Sequence, residues 1–380
     1  MFSKIKIFYN QRLTRKTRLF LKSFSITILA VSIIVIAVVV ALDILIAPPN
    51  QSEVIAAPSD SPDRPVVDDD GFLIVNPNPG DEYDEYDEYP WPTYNAPSWA
   101  VDRREYFWTF LIIGLNEGIN ANTVMVASYC GITREANLIS IPRDIPVHPT
   151  RNGRKLSSSY MIGAGGGRGI AGGVAQMQRD VQTVIGFIPD FYVVIDYDTF
   201  FTIIDAVGGI YIDVPIRMRY DDPYQNLRID IQPGLQHMDG ETALLFSRFR
   251  QANRNSGYPS LPDGDLGRIR NQQAVISAVI SQLLRVENLN PVRINEFVNI
   301  FNDSVHTNIS FRDMPFFANE LRHINGVDAL STHTFPTHAA TVNDISYLFL
   351  MPSTVVELLN RTVNPFDGVI SANDLRIVRP

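Results

Sequence analysis

The sequence predicts one α/β domain with a mixed sheet between helical layers, preceded by a single transmembrane helix and a disordered linker. Three observations predict this: continuous apolar runs of strand length, segments of helical periodicity between them, and a strongly uneven charge distribution. Residues 1–22 carry seven cations and no acid, residues 48–105 carry fourteen acids against three cations, and residues 106–380 carry a net charge of −4. We therefore expect a basic tail over 1–22, a membrane span over 23–47, an acidic linker over 48–105 and an α/β/α sandwich over 106–380.

The predicted membrane span contains the apolar run "FSITILAVSIIVIAVVVALDILIA", Phe24 to Ala47. As a helix, this run would extend roughly 36 Å, and the hydrocarbon core of a bilayer is about 30 Å thick. A cleaved signal peptide is the alternative, but its apolar region is normally about 7–15 residues long. The cations before the span and their absence directly after it predict a single-pass protein of the cell membrane, with a cytoplasmic N-terminus and an extracellular body.

The predicted linker over 48–105 combines prolines and acids with few aliphatic residues, a composition that cannot bury enough surface to offset the entropy of ordering. Within it, "DEYDEYDEY" repeats a three-residue unit from Asp81 to Tyr89. An extended, self-repelling spacer and an adhesive or cation-binding tether are the two interpretations. Cys130 is the only cysteine, so no disulfide can form within the chain.

The body begins with apolar runs that do not alternate, which is typical of strands covered on both faces. The predicted strands are 108–114, 123–129, 137–142, 190–198, 210–216 and 331–335. Apolar residues at helical spacing predict helices over 174–185, 199–209, 242–249, 266–285, 291–302 and 310–323. Asp239 precedes one of these helices as an N-cap, and Gly208-Gly209 ends another.

Arginines recur where the predicted strands and helices end. Arg143 closes the strand of "LISIPRDIPV", Arg248 and Arg250 end one helix, and Arg268 and Arg270 begin the longest one. The planar guanidinium matches phosphate oxygens in pairs and keeps its charge at physiological pH. Any one of these arginines fits a surface ion pair, but so many at the ends of elements favour a site for a polyphosphate.

The order of five motifs resembles the LytR-CpsA-Psr family over about residues 108–350. The motifs are "LISIPRD", "RKLSSSYMIGAGGG", "DFYVVIDYDTFFTIIDAVGGIYIDVP", "GLQHMDGETALLFSRFR" and "DGDLGRIRNQQAVISAVI". The resemblance implies an α/β/α sandwich with an apolar channel for a lipid. It also implies an extracellular phosphotransferase that takes a glycan polymer, such as teichoic acid or capsule, from undecaprenyl pyrophosphate. The polymer is then joined, as a phosphodiester, to a muramic acid hydroxyl of peptidoglycan.

The resemblance also assigns site residues. The implied catalytic residues are Arg143, Asp144, Asp265 and Arg268, and the implied substrate-binding residues are Lys155, Arg248, Arg250, Arg270 and Gln272. The acceptor hydroxyl needs a base, and Asp144 and Asp265 are both candidates. These residues would surround the pyrophosphate of the lipid carrier.

The match fails at the family's metal site. Two family aspartates hold Mg²⁺, but the corresponding residues here are Asn116 and Asn122, with Glu117 as a further candidate ligand. Asn271 also stands where the family has a second arginine, next to Arg270. Because Mg²⁺ prefers anionic oxygen ligands, the two asparagines should weaken its binding.

Two functions therefore remain open. The chain is either a working glycopolymer phosphotransferase with a weakened Mg²⁺ site, or a catalytically impaired relative that binds polyprenyl-linked glycan or peptidoglycan as a scaffold. A nucleic-acid partner is not expected, because the body lies outside the cell and lacks a basic stripe.

Overall fold

The computed structural model describes residues 102–116, 119–149, 151, 153–285, 291–321, 323 and 329–378, together with 48, 49, 66, 67, 73 and 74. Among these residues, no helix has both the length and the apolar character needed to cross a bilayer. The predicted basic tail, the membrane span and most of the linker lie outside the described residues. Within the linker, strand β1 (Val66–Val67) pairs antiparallel with strand β2 (Leu73–Ile74).

The body alternates strands and helices, as predicted. Its strands are β3 (Phe107–Leu115), β4 (Ala121–Cys130), β5 (Glu135–Ser140), β6 (Phe191–Ile195), β7 (Ile210–Val214), β8 (Met218–Asp222), β9 (Leu227–Ile231), β10 (Gly234–Met238), β11 (His306–Thr307), β12 (Leu330–Thr334), β13 (Thr337–Val342) and β14 (Ile345–Leu350). Its helices are α1 (Ser159–Ala164), α2 (Gly169–Ile185), α3 (Tyr197–Ala206), α4 (Gly240–Arg248), α5 (Asp265–Leu283), α6 (Pro291–Ser304), α7 (Met314–Leu321) and α8 (Pro352–Thr362).

A six-stranded mixed sheet forms the centre of the body, with the order β11-β6-β3-β4-β5-β12. The pairs β3–β6 and β5–β12 are parallel, whereas β3–β4, β4–β5 and β6–β11 are antiparallel. The chain is therefore an α/β protein with a central mixed sheet, as the sequence predicts.

One face of the central sheet, which we call the filled face, packs against α2 and α8. Alternate residues of a strand point to opposite faces. Leu111 and Ile113 of β3 are fully buried in a core that also contains Val181 of α2 and Leu359 of α8. Solvent is excluded from this side along the length of β3.

The opposite face, which we call the cavity face, is closed in only part of its length. Near the start of β3, Trp108 and Phe110 pack edge-on against Phe317 of α7, with ring centroids 5.7 and 5.3 Å apart. Near the end of β3, Ile112 and Gly114 border a cavity instead.

A second apolar core joins α3, α4 and α5 to the strands β7 to β10. It contains the buried side chains Ile204, Met218, Ile229, Phe246 and Val275. This core holds the three helices that lie opposite the cavity face.

Helix α5 is fixed to the sheet by the side chain of Gln273. Its Nε2 donates to Ser140 Oγ at 2.9 Å and to the His333 carbonyl at 2.7 Å. These acceptors belong to the neighbouring strands β5 and β12. The third turn of α5 is thereby held against the end of β5, and Arg143 follows that strand.

The body makes contacts before residue 106, where it was predicted to begin. The Arg103 guanidinium donates to Asp190, whose second partner is the Thr109 hydroxyl at 2.8 Å. Arg103 also forms a backbone bridge with Phe366. The described contacts with the body therefore start at the end of the predicted linker.

Several predicted boundaries are wrong for identifiable reasons. The predicted strand over 190–198 ends at Ile195, because Asp196 caps α3 by accepting the Thr199 N–H at 2.8 Å. Helix α2 begins at Gly169 rather than at residue 174. Its glycine-rich first turns pack closely against α1, since a Cβ on Gly163 would lie 2.2 Å from the Gly172 carbonyl oxygen. The prediction also lacked the hairpins β8–β9 and β13–β14 and helix α8.

Candidate functional site

A cavity of about 340 Å³ lies between the cavity face, the helices α3 to α5 and the hairpin β8–β9. Its wall is mainly apolar on the side of the sheet and the helices. The apolar lining includes Ile112, Leu115, Met125, Ile195, Phe200, Leu227, Leu244, Phe249, Val275 and Ile276. Such a wall suits an apolar group of a ligand, because its burial removes apolar surface from water.

Four predicted arginines border this cavity: Arg143, Arg248, Arg250 and Arg268. They come from three separate places in the chain, and the fold brings them together. Because like charges repel, an uncompensated group of guanidinium ions favours the binding of an anion.

Arg268 is the most confined of these cations, with only 11% of its side chain exposed. Burial lowers its pKa most, the charges of Arg143 and Arg250 lower it further and Asp265 opposes them, so that the pKa falls to about 10. The guanidinium is still charged at neutral pH. Its lowered pKa reflects a confined position with two other cations nearby, and strongly perturbed groups of this kind are common in functional sites.

Arg143 extends from the end of β5 toward the same place. Its Nη1 donates to the amide oxygen of Asn122 on the neighbouring strand β4. Its Nη2 lies 3.9 Å from Asp265 Oδ1, which also pairs with Arg268 Nη2 at 2.7 Å. Asp265 therefore lies between the two guanidinium groups as their shared counter-charge.

A second pocket of about 10 Å³ adjoins the cavity and shares Asn122, Arg143, Arg268 and Gln272 with it. Asp265 lines this small pocket but not the larger cavity. Gln272 follows Arg268 by one helical turn, so both side chains face the same side of α5. The predicted residues Arg143, Arg268, Asp265 and Gln272 thus form one cluster.

The sequence prediction missed several cavity residues, among them Asp196, Tyr197, Tyr220 and Gln225. Tyr197 lies beneath Arg248, whose guanidinium carbon is 5.2 Å from the ring centroid. Tyr220 and Gln225 reach the cavity from the hairpin β8–β9. The hairpin itself was not predicted, which explains why these two residues were missed.

Asp196 also lines the cavity. Burial alone would raise the pKa of its carboxyl group, but hydrogen bonds from the backbone N–H and the side chain of Thr199 outweigh burial and lower the pKa. The N-cap role of Asp196 places this charge on the cavity wall.

Two predicted groups lie beside the cavity rather than on its wall. Lys155 Nζ pairs with Asp144 Oδ1 at 2.8 Å, and neither residue lines the cavity or the small pocket. Arg270 pairs with Asp263 at 2.7 Å, and both side chains are more than half exposed. Positions 268 and 270 differ by about 200° around a helix, so these two arginines cannot face the same side.

The predicted metal residues are already engaged with protein groups. The Asn116 amide oxygen accepts the Asn120 N–H at 2.9 Å and closes the turn between β3 and β4. The Asn122 amide oxygen accepts the Arg143 guanidinium, and Glu117 lies outside the described residues. Among the described side chains, no group of three His, Cys, Asp or Glu residues could hold a metal ion. Because Mg²⁺ needs anionic or free oxygen ligands, Asn116 and Asn122 do not fit it.

The fold and the site define an α/β protein with an arginine-lined and largely apolar cavity. The family model described as "LytR_cpsA_psr family" matches residues 101–364. The chain therefore belongs to the LytR-CpsA-Psr family, which confirms the resemblance.

Two curated relatives are distant in sequence. The biofilm regulatory protein A of Streptococcus mutans is 25% identical over 254 residues, covering 64% of this chain and 57% of that protein. The polyisoprenyl-teichoic acid–peptidoglycan teichoic acid transferase TagV of Bacillus subtilis is 26% identical over 229 residues, covering 57% of this chain and 53% of TagV. The chain thus spans just over half the length of these relatives.

Solved structures share the fold. The crystal structure of Bacillus subtilis TagV has a TM-score of 0.54 at 20% identity, covering 68% of this chain and 96% of TagV. Protein gbs0355 of Streptococcus agalactiae has a TM-score of 0.56 at 19% identity, covering 70% and 91%. TagT bound to LIIa-WTA has a TM-score of 0.53 at 16% identity, covering 70% and 93%. At these identities, the likeness shows the fold alone.

Proposed function

We propose that the chain is a phosphotransferase that joins a glycopolymer, carried on undecaprenyl pyrophosphate, to peptidoglycan through a phosphodiester. The observation that carries this proposal is the meeting of Arg143, Arg250 and Arg268 beside an apolar wall. A prenyl diphosphate combines these two chemistries in one molecule, because its head is anionic and its tail is apolar. Membership of the family and the activity named for TagV support the same class of substrate.

The cavity suggests how such a substrate would bind. The diphosphate would lie against Arg143, Arg250 and Arg268, and Arg248 would contact its outer oxygens. The first isoprene units would lie along Ile112 and the apolar side of α5. The cavity volume of about 340 Å³ is at the small end of ligand pockets, which are roughly 300–1,000 Å³. The rest of a long tail would therefore leave the cavity.

In the proposed reaction, a peptidoglycan hydroxyl attacks the phosphorus that carries the glycan. A new P–O bond forms to the hydroxyl oxygen, and the bond from that phosphorus to the bridging oxygen of the diphosphate breaks. Polyprenyl monophosphate leaves, and the hydroxyl proton passes to a base. We assign the base to Asp265, which lines the small pocket, rather than to Asp144, which Lys155 holds outside it. The arginines would balance the charge that develops on the phosphoryl oxygens.

The proposed location follows from the sequence of the first 47 residues. The apolar run over 23–47 would anchor the chain in the cell membrane, with the basic tail in the cytoplasm. The body would then lie outside the cell, where both the lipid-linked glycan and peptidoglycan are accessible. The acidic linker over 48–105 would separate the body from the membrane surface.

A scaffold function is the second candidate. It is favoured by one observation: the two family aspartates are replaced by Asn116 and Asn122, whose amide oxygens are engaged within the protein. In that case the cavity would bind the prenyl diphosphate but would not promote transfer.

A transfer assay with the purified full-length chain separates these functions. The donor is a labelled glycan on polyprenyl pyrophosphate, the acceptor is peptidoglycan, and the released polyprenyl monophosphate is measured. We expect release by the wild type and a loss of about 10- to 100-fold in donor affinity for Arg268→Ala, because hydrogen bonds to charged groups contribute about 1.5–3 kcal/mol. Donor binding without release would favour the scaffold.

Arg270→Ala is the matched control, since it removes the same charge two residues away on the exposed side of α5. It should leave donor affinity within about threefold of wild type, as expected for an exposed ion pair. Equal losses in both variants would mean that the effect is general electrostatics. Wild-type affinity in Arg268→Ala would remove Arg268 from the site.

A further inference from the structure

We propose that this chain binds the diphosphate without a divalent cation, and that Asn122, by accepting a hydrogen bond from Arg143, keeps the charge of that guanidinium available to the ligand. The inference rests on the proposed function and concerns the same cavity. It starts from the disagreement between the family's Mg²⁺ site and the residues present here.

The hydrogen bond between Arg143 and Asn122 supports this proposal. Arg143 Nη1 donates to Asn122 Oδ1, the side-chain oxygen at the position of a family metal ligand. A cation coordinated by the second lone pair of that oxygen would lie next to the guanidinium and meet its positive charge. Arg143 is 23% exposed and lines the cavity, so the rest of its guanidinium can reach a ligand.

The balance of charge around residues 116 and 122 also supports the proposal. Two aspartates and one Mg²⁺ together carry no net charge, and two asparagines without metal carry none either. Replacing the whole set therefore leaves the net charge beside the cavity unchanged. Replacing the aspartates while keeping Mg²⁺ would instead add two positive charges next to Arg143 and Arg268, which already repel each other. The substitutions and the loss of the metal are electrostatically consistent with each other.

The type of hydrogen-bond acceptor at residue 122 determines how much of the Arg143 charge remains for a ligand. An amide oxygen orients Arg143 without neutralising it, because asparagine is uncharged. An aspartate at 122 would form a salt bridge with Arg143 and reduce the attraction for a phosphate. Asp265 already supplies one carboxylate to Arg143 and Arg268. Asn122 thus positions Arg143 and leaves its charge available to the ligand.

The test is calorimetric titration of the purified full-length chain with farnesyl pyrophosphate, in excess EDTA and in excess MgCl₂. We expect dissociation constants that agree within about threefold, which corresponds to negligible coupling between metal and ligand. Binding that requires Mg²⁺, or that is at least about tenfold tighter with it, overturns the inference and leaves the proposed function intact. Absence of binding in both buffers overturns the proposed function, and the inference with it.

Three variants test the roles of Asn122 and Arg143 directly. Asn122→Asp should weaken binding in EDTA by about tenfold or more, because a charge-assisted hydrogen bond to the ligand is lost. Asn343→Asp, which adds the same charge at an exposed turn, should leave the affinity unchanged. Restoring both family ligands with Asn116→Asp and Asn122→Asp should make the binding depend on Mg²⁺. If Asn122→Asp binds in EDTA as well as wild type, Arg143 does not have the proposed role.

Discussion

Charged side chains are paired differently on the two faces of the central sheet. On the filled face, Arg151 pairs with the fully buried Asp180 of α2 at 2.7 Å, and Gln176 donates to the same carboxylate at 3.1 Å. On the cavity face, Arg143 and Arg268 share the single carboxylate of Asp265, and the charge of Arg250 also acts on Arg268. Charge is balanced where the protein is packed and unbalanced where a ligand would bind.

Because of this difference, strand β3 can contribute both to the stability of the fold and to ligand binding. Neighbouring residues of β3 point to opposite faces, so Ile113 fills the core while Ile112 borders the cavity. A substitution at one position should therefore change the free energy of unfolding, and a substitution at the next should change ligand affinity. Variants can test whether the two functions are separate in this way.

The largest expected effect on stability is that of Arg151→Ala on the filled face. Because this change leaves the Asp180 carboxylate buried without its cation, we expect the free energy of unfolding to fall by about 3–5 kcal/mol. The affinity of the remaining folded protein for farnesyl pyrophosphate should stay the same. Urea unfolding and calorimetric titration measure the two quantities.

Arg217→Ala is the control for Arg151→Ala. Arg217 pairs with Asp230 at 2.9 Å, but both side chains are about one-third exposed. Its loss should cost about 1 kcal/mol or less. Equal costs for the two variants would contradict the view that the filled face contains a balanced buried ion pair.

The next effect comes from the matched pair Ile113→Ala and Ile112→Ala. Ile113 is fully buried, so its truncation should lower the free energy of unfolding by about 2–5 kcal/mol. Ile112 already borders open space, and its truncation should cost less stability but weaken farnesyl pyrophosphate binding by about tenfold through lost apolar contact. The same two measurements distinguish them. If both variants lose stability and affinity equally, the faces are not functionally separate.

The sequence predicted the central sheet because its strands are continuous apolar runs. Such runs indicate burial on both faces, but they do not reveal that helices stand away from Ile112 while packing on Ile113. That difference depends on tertiary packing of α4 and α5, which no local pattern encodes. The cavity could therefore be expected only from the family resemblance.

The candidate site was predictable in part for similar reasons. Arg143 and Arg268 were identified from the chemistry of arginine and from the resemblance, and the structure brings them together. Arg270 could have been separated from Arg268 by helical geometry alone, since residues two apart do not share a face. The contact between Asn122 and Arg143 joins a residue of β4 to one that follows β5, so its prediction requires knowledge of the β4–β5 register.

The smallest expected effect is a pH dependence that originates on the filled face. His148 is 6% exposed, and its Nδ1 accepts the Arg151 N–H at 2.8 Å, which requires an unprotonated nitrogen. Burial lowers the pKa of His148 below 6.5, and the charges of Arg151 and Arg154 lower it further while Asp180 opposes them. The unfolded chain therefore binds this proton more readily than the folded chain.

His148 should thus contribute stability that is fully present above pH 6.5 and is lost as the pH falls through the lower pKa of the folded protein. The slope for one proton cannot exceed about 1.4 kcal/mol per pH unit. Urea unfolding between neutral and mildly acidic pH measures it. In His148→Gln, a neutral amide oxygen can accept the same N–H, so this part of the slope should disappear. If the slope is unchanged in His148→Gln, another group binds the proton. If this variant loses affinity for farnesyl pyrophosphate, the filled face and the cavity are coupled, which contradicts their proposed separation.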